Sequence, residues 1–408
     1  MKKFRLVTLL GIRPDLIRLH KLIRLLDQGQ KSHNYEHIFV HSGQHFDYEL
    51  DGIFYKELEV RKPDINLNIG KILKKEEKTT QAYQSALLFE KVDELIKKLK
   101  PDAVMYLGDT NTVTSALIVA KNNVPVIHIE GGGRSFDWRM PEEKNRITID
   151  HLSDAIYCYL NRYKEILLAE GVAKFRIKVV GNIIVDPIKN FEKLADKRKI
   201  LEELGIKEKN FILVTLHREE NTSEKEIFKN KLLDLLNFGN DYKMPIVFPL
   251  MPRTKEAIRK FNLNSILKNP IFIQTEPLGF LDFLKLEKTA KLVVSDSGTV
   301  QEETLILGTP CVVARRSTER PETIWAGASI LEGFEGKNTL YKAMEKALNM
   351  KTNWNRNILN PQGGSPSERI YKDLIKKIKT GFFQKSRSFE TLRKNLFVKQ
   401  AYGKLMGG

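Results

Sequence analysis

Cysteine is nearly absent from this chain: 408 residues hold only Cys158 and Cys311, in separate apolar segments. Two distant cysteines form neither a disulfide framework nor a thiolate metal site, which fits a reducing, cytoplasmic setting. Also missing is any run approaching the ~20 apolar residues that cross a bilayer. The apolar run behind Lys2, Lys3 and Arg5 stops at Gly11-Ile12-Arg13-Pro14-Asp15 without a small-residue cleavage site, so it reads as a first buried strand and not a signal peptide. No glycine fingerprint for a dinucleotide, no cluster of metal ligands, no internal repeat and no low-complexity segment is present. Acidic residues are in deficit, with 51 Asp and Glu against 68 Lys and Arg, a net charge of +17. Much of that excess is dispersed over solvated helix faces such as Glu90 to Lys100, so nucleic acid is not implied as a partner. The tail from Lys372 to Lys404 is more concentrated, with Phe382, Phe383, Phe389 and Phe397 interleaved among its cations. It reads first as a helical extension packing its aromatics on the body, and second as a membrane-surface contact.

What the chain does have is alternation. Apolar, β-branched runs at Phe4 to Leu10, His37 to Val40, Ala103 to Leu107, Val124 to Ile127 and Ile156 to Cys158 are separated by helical patterns such as Leu16 to Leu26 and Thr80 to Leu99. A second series follows a charged, Lys-rich stretch: Phe211 to Thr215, Ile246 to Pro249, Ile271 to Ile273, Leu292 to Val294 and Cys311 to Val313. The pattern predicts an α/β protein of two Rossmann-like, doubly wound domains facing a cleft. Expected boundaries are 1–182 for the first domain, 183–365 for the second, and 366–408 for a last helix, Pro366 to Thr380, that returns to the first domain before the basic tail.

Charged and small residues gather where these strands should end, which is where open parallel sheets bind ligands. After the first strand, Gly11 and Pro14 open a helix that carries Arg13 and Arg18, a combination suited to phosphate. After the third comes Gly108-Asp109-Thr110, where helix capping and chemistry are both open to Asp109. After the fourth, Glu130, Asp137, Glu142 and Glu143 alternate with Arg134, Arg139 and Arg146 through three glycines, the pattern of a catalytic loop. His217, beside Arg218 at the end of Phe211 to Thr215, is the histidine best placed for ligand or acid-base work. His20, His33, His37 and His151 read as structural or exposed, with His41, His45 and His128 undecided. Ser295-Asp296-Ser297-Gly298 presents backbone N–H groups to a diphosphate, Glu303 lies further along the same helix, and Arg315, Arg316 and Arg320 follow the next strand.

Taken together, Gly-Ile-Arg-Pro-Asp at 11, His-Ser-Gly-Gln-His at 41, Gly-Asp-Thr at 108, His-Ile-Glu at 128, Pro-Glu-Glu-Lys-Asn-Arg at 141, His-Arg-Glu at 217, Ser-Asp-Ser-Gly at 295 and Thr-Glu-Arg-Pro-Glu at 318 resemble the non-hydrolysing UDP-N-acetylglucosamine 2-epimerases. The resemblance implies a GT-B-like architecture and inversion of C2 of a UDP-2-acetamido sugar by elimination and re-addition of UDP. It implies no cofactor and a homodimer. It places Asp109, Glu130, Glu142 and His217 in the chemistry; Arg13, Ser297 and Gly298 on the diphosphate; Glu303 on the ribose; and Arg18 where a lysine is usual. Arg134, Arg218 and Arg320 complete the expected substrate contacts. The family's Glu-Ala-Gly-Leu-Arg is here Glu130-Gly131-Gly132-Gly133-Arg134, which predicts a loosened loop. The compact Ser-Phe-Asp-Trp-Arg-Met that follows is similar to relatives acting on 6-deoxy or uronic acid sugars. Phe46 and Met251 depart from the residues that bind an activating second UDP-N-acetylglucosamine in bacterial members, so that site is expected to be weak or missing. A modified-sugar epimerase, a hydrolysing epimerase and a GT-B glycosyltransferase are the alternatives, in that order.

Overall fold

The computed structural model describes residues 2–44, 55, 57–77, 80–333, 338–385 and 387. His45, Phe46, Phe389 and Phe397 lie outside the described residues, and with them half of the activator-site expectation and most of the basic tail. The chain divides into two units: Met1–Asp186 joined by the segment that begins at Gln362, and Pro187–Pro361.

The first unit is built on seven parallel strands: β1 (Phe4–Leu10), β2 (Tyr35–His41), β3 (Ile65–Asn66), β4 (Ala103–Leu107), β5 (Val126–Ile129), β6 (Ala155–Cys158) and β7 (Ile177–Val179). Their order is β3-β2-β1-β4-β5-β6-β7. Every residue of β4, β5 and β6 is buried, as expected where helices cover both faces of a parallel sheet. β5 begins two residues later than its apolar run suggests, because Val124 and Pro125 complete the preceding turn, so His128 and Ile129 belong to the sheet and the loop starts at Glu130.

The second unit has six parallel strands: β8 (Ile212–Thr215), β9 (Ile246–Pro249), β10 (Phe272–Thr275), β11 (Leu292–Ser295), β12 (Cys311–Val313) and β13 (Ser329–Leu331), ordered β10-β9-β8-β11-β12-β13. Ile212, Val214, Leu292 and Val294 join the core on one face of this sheet, while Leu213, Val293 and Val247 join the core on the other. Successive side chains alternate between two buried layers, which is why the strands read as unbroken apolar runs.

In each sheet the winding reverses once, between β1 and β4 in the first and between β8 and β11 in the second. Sequence therefore carries Gly11 and Gly108 to one switch point, and Leu216 and Asp296 to the other.

The helix Pro366–Lys379 begins with Ser365 accepting from the Glu368 N–H and a proline in its first turn. It packs against the helix Arg13–Gly29, with Ser367 N–H donating to Asp186 (2.9 Å) and Tyr157 donating to Asp373 (3.1 Å). The Phe383 ring lies tilted against Phe4 and the Phe382 ring edge-on to Phe175, so these two aromatics of the basic segment pack on the first unit. Cys158 and Cys311 are both buried and free. No helix among the described residues is long and apolar enough to cross a membrane.

Candidate functional site

At the first switch point, Gly11 lies against the Thr112 side chain, where an added Cβ would stand 2.2 Å from Oγ1. Thr112 also meets Ser42 (2.9 Å) and Gln44 (3.1 Å), so the ends of β1, β2 and β4 converge there. Arg13, half-buried, is the first residue of the helix Arg13–Gly29. Asp15 accepts from the Gly11 and Ile12 N–H groups and, at 2.9 Å, from Arg18. Burial pushes the Asp15 carboxyl up to about 6 although Arg18 pulls the other way.

Arg18 is itself buried and joins Asp15 to Glu130, which also accepts from the Tyr159 hydroxyl at 3.0 Å. Glu130 has a φ of +79°, a left-handed conformation that costs a non-glycine residue of order 1–3 kcal/mol. The strain is held in place by its N–H bond to Tyr157 O and by the Arg18 pair. Next to it, Asp109 is gripped by Arg146, whose Nε lies 3.1 Å from Oδ2, and Arg146 pairs in turn with Glu143. Glu143 accepts from Ser135 N–H (3.0 Å), Ser135 Oγ (2.8 Å) and Phe136 N–H (2.9 Å), tying the loop to the same node. Glu142 occupies the first turn of the helix Pro141–Leu152, half-buried and one turn ahead of Arg146. Phe136 and Trp138 are each 66% exposed on the loop between them.

The loop is not loosened by its glycines. Gly131 and Gly132 are buried, their N–H groups donate to Tyr157 O and to Asp150 (3.0 Å), and a Cβ on Gly131 would stand 2.1 Å from Ile156 Cγ2. Gly132 has φ +82° and lies against the Tyr163 carbonyl, so close packing is the reason for glycine here. Asp150 is the anchor beneath. Burial disfavours its charge, but His128 and Arg134 outweigh that and hold it below the usual carboxylate range. His128, fully buried, spans Asp150 (2.7 Å) and the Gly108 carbonyl (2.8 Å), which makes it a structural strut between β4 and the loop. Arg134 is turned inward to Asp150 (2.8 Å) and Glu170 (2.6 Å). The structure thus brings Asp109, Glu130 and Arg18 together and sets Arg134 on the inner side of the loop.

At the second switch point the organising residue is Asp296. It is fully buried at the end of β11 and accepts from the N–H groups of His217 and Arg218 and from Asn221, each at 2.8 Å. Burial opposes its ionisation, yet His217 and these donors hold its carboxyl far below the usual range. Its other oxygen lies 3.0 Å from His217 Nδ1. Nδ1 also lies 3.3 Å from the Thr215 hydroxyl, so Thr215 and Asp296 together fix the ring, and Nε2 of this partly exposed imidazole is the nitrogen these two residues leave for a ligand. Directly after Asp296, Ser297 stands at the N-cap position of the helix Gly298–Leu307 without its side chain capping the helix, and the helix's first N–H groups and positive dipole end favour an anion. A Cβ on Gly298 would stand 2.7 Å from the Glu319 carboxylate, so a larger residue there would displace Glu319.

Arg320 pairs with Glu302 of the same helix at 2.7 Å, and Arg315 is buried between Glu220 (2.9 Å) and Glu319 (2.7 Å). Glu303, buried, faces Glu287. Sequence reasoning did not find the orienting role of Asp296 or the grip of Arg146 on Asp109. Each had one signal, Asp296 as the acid inside the Ser-Asp-Ser-Gly turn and Arg146 as the cation one turn after the Glu142-Glu143 pair. Met251 precedes the helix Pro252–Lys260, half-buried.

The geometry is matched by known proteins. A family model described as UDP-N-acetylglucosamine 2-epimerase matches residues 27–374. The UDP-N-acetylglucosamine 2-epimerase of Methanocaldococcus jannaschii is 40% identical over 376 residues, 91% of this chain and 98% of that protein. A UDP-2,3-diacetamido-2,3-dideoxy-D-glucuronate 2-epimerase of Pseudomonas aeruginosa is 34% identical over 81% of this chain and 88% of its own length. The crystal structure of the M. jannaschii enzyme in complex with UDP-GlcNAc and UDP superposes with a TM-score of 0.81 at 39% identity, covering 91% of this chain and 99% of that one.

Proposed function

Because the chain belongs to the UDP-N-acetylglucosamine 2-epimerase family, we propose that it interconverts UDP-GlcNAc and UDP-ManNAc by elimination and re-addition of UDP. In the first step a carboxylate takes the C2 proton while the C1–O bond to the β-phosphate breaks, leaving a 2-acetamidoglucal and UDP. In the second, UDP oxygen re-forms the bond at C1 and an acid returns a proton to the opposite face of C2. Two general acid-base groups supply about 10²–10⁴-fold each. Asp109, Glu130 and Glu142 are the carboxylates for these transfers, with Arg146 and Arg18 keeping Asp109 and Glu130 in place.

The observation that carries this reading is the Asp296-held imidazole of His217 beside the Ser297-Gly298 helix start. A diphosphate on those N–H groups would have its leaving oxygen met by Nε2, which stabilises the charge that develops as C1–O breaks when Nε2 carries a hydrogen and donates it to that oxygen. Arg13, Arg218 and Arg320 add cations for the diphosphate, and Glu303 takes the ribose hydroxyls. Arg134 serves by holding the loop through Asp150. The enzyme works as a cytoplasmic homodimer without a cofactor and supplies a precursor for surface polysaccharide or glycoprotein glycans.

Incubation of the protein with UDP-GlcNAc, followed by ¹H NMR of the anomeric region, is expected to give UDP-ManNAc and no free sugar. Accumulation of free ManNAc would instead identify a hydrolysing enzyme, and an unchanged spectrum would reject UDP-GlcNAc as substrate. A second reading, a 2-epimerase of a UDP-2-acetamido uronic acid, is favoured by the compact Ser135 to Met140 segment and by the P. aeruginosa relative. Faster turnover of UDP-2,3-diacetamido-glucuronate than of UDP-GlcNAc would select it.

A further inference from the structure

Glu287 belongs to no part of the site described so far, yet it is one of the most deeply buried carboxyl groups in the protein. It lies on the helix Phe280–Thr289, 1% exposed, and that helix packs against the helix Gly298–Leu307 so that Glu287 faces Glu303, itself 6% exposed. Neither oxygen of Glu287 meets an N–H or O–H donor among the described residues. The Cys311 thiol of β12 feels the charge of Glu287 and is neutral, because burial pushes its pKa up to about 12. Two ionised carboxylates cannot be held oxygen to oxygen in a buried site, so the pair must share a proton. Burial and the neighbouring Glu303 charge both raise Glu287 well above the ordinary carboxyl range. A proton on Glu287 supplies the missing donor and satisfies both groups at once.

We propose that Glu287 is a positioning residue for nucleoside recognition: its carboxyl O–H donates to Glu303 and turns the remaining acceptor capacity of Glu303 toward the two ribose hydroxyls. This rests on the UDP-sugar reading above. Glu303 lies five residues into a helix whose first N–H groups meet the diphosphate, about 7.5 Å along the axis, a span suited to the ribose of the same nucleotide. A second ionised carboxylate at Glu287 would repel Glu303 and leave the ribose without a fixed acceptor.

The test is calorimetric binding of UDP and of 2′,3′-dideoxy-UDP to the full-length protein and to its Glu287→Gln and Glu287→Ala variants. Wild type is expected to bind UDP at least about tenfold more tightly than the dideoxy nucleotide, since hydrogen bonds to a charged group are worth about 1.5–3 kcal/mol. Glu287→Gln, whose amide N–H donates to Glu303, should keep the UDP affinity and lose its decline at alkaline pH. Glu287→Ala should lose about tenfold for UDP and little for dideoxy-UDP. Equal losses for both nucleotides in Glu287→Ala, or a glutamine variant as weak as the alanine one, would overturn the proposal by making Glu287 a packing residue. Wild type that binds both nucleotides alike would overturn the proposal while leaving the UDP-sugar reading in place. Wild type that binds neither would overturn the UDP-sugar reading and this proposal with it.

Discussion

A histidine serves a departing phosphate only with an N–H aimed at the leaving oxygen, and here the ring is oriented by Asp296. Its carboxylate is fixed by two backbone N–H groups and Asn221, so it cannot rotate away from Nδ1. Asp296→Asn keeps the size of the side chain but removes the carboxylate beside Nδ1, and the imidazole loses the negative partner that holds it. We expect kcat to fall by about 10²-fold or more with UDP affinity nearly unchanged, measured by steady-state kinetics beside calorimetry. A matching loss of UDP affinity would mean that Asp296 builds the diphosphate site instead. His217 and Ser297 were legible because they follow apolar runs, where a parallel sheet must open to ligand. The inward turn of Arg134 was not, because its partners Asp150 and Glu170 come from two other elements and nothing local distinguishes it from Arg139, which pairs with Asp137 on the surface.

At the scale of elements, the loop after β5 is a packed structure despite its glycines. Gly131→Ala places a methyl 2.1 Å from Ile156 and should destabilise the first unit by about 1–3 kcal/mol, read from chemical denaturation, while displacing Glu130 and lowering turnover. Wild-type stability with full activity would show that the loop yields. In the helix Arg13–Gly29, burial holds His20 down to about 4. Its ordinary value near 6.5 in the unfolded chain means that the unfolded state binds the proton first as pH falls. The stability present above about 6.5 is therefore lost between there and about 4, on the order of 3 kcal/mol. His20→Gln should flatten that acid limb in denaturation curves at successive pH values. The helices Arg13–Gly29 and Gln81–Leu99 and the strands of four or more residues were readable from apolar spacing. β3, β7 and β13 were not, since two or three residues at a sheet edge show no period.

The whole molecule is two switch-point sites, one of carboxylates gripped by arginines and one of an oriented imidazole beside an anion-binding helix start. The last helix holds the first of these units together, through Asp186, Tyr157 and the helix Arg13–Gly29. Truncation before Pro366 should therefore raise amide exchange throughout residues 13–29 and leave the second unit's strands protected, as seen by hydrogen-deuterium mass spectrometry. Fold and reaction were legible in the sequence because eight separated motifs occur in order along the chain, most of them where a strand has just ended. The sugar was not, because the Phe136 and Trp138 side chains of the loop are largely exposed and sequence spacing does not say what they meet. The central claim is proton transfer at C2, and its most direct measurement is turnover of UDP-GlcNAc in D₂O followed by NMR. The account predicts deuterium at C2 of UDP-ManNAc, and of the UDP-GlcNAc pool as equilibrium is reached, with none entering in the Glu130→Gln variant. Epimerised product that retains protium at C2 would contradict it.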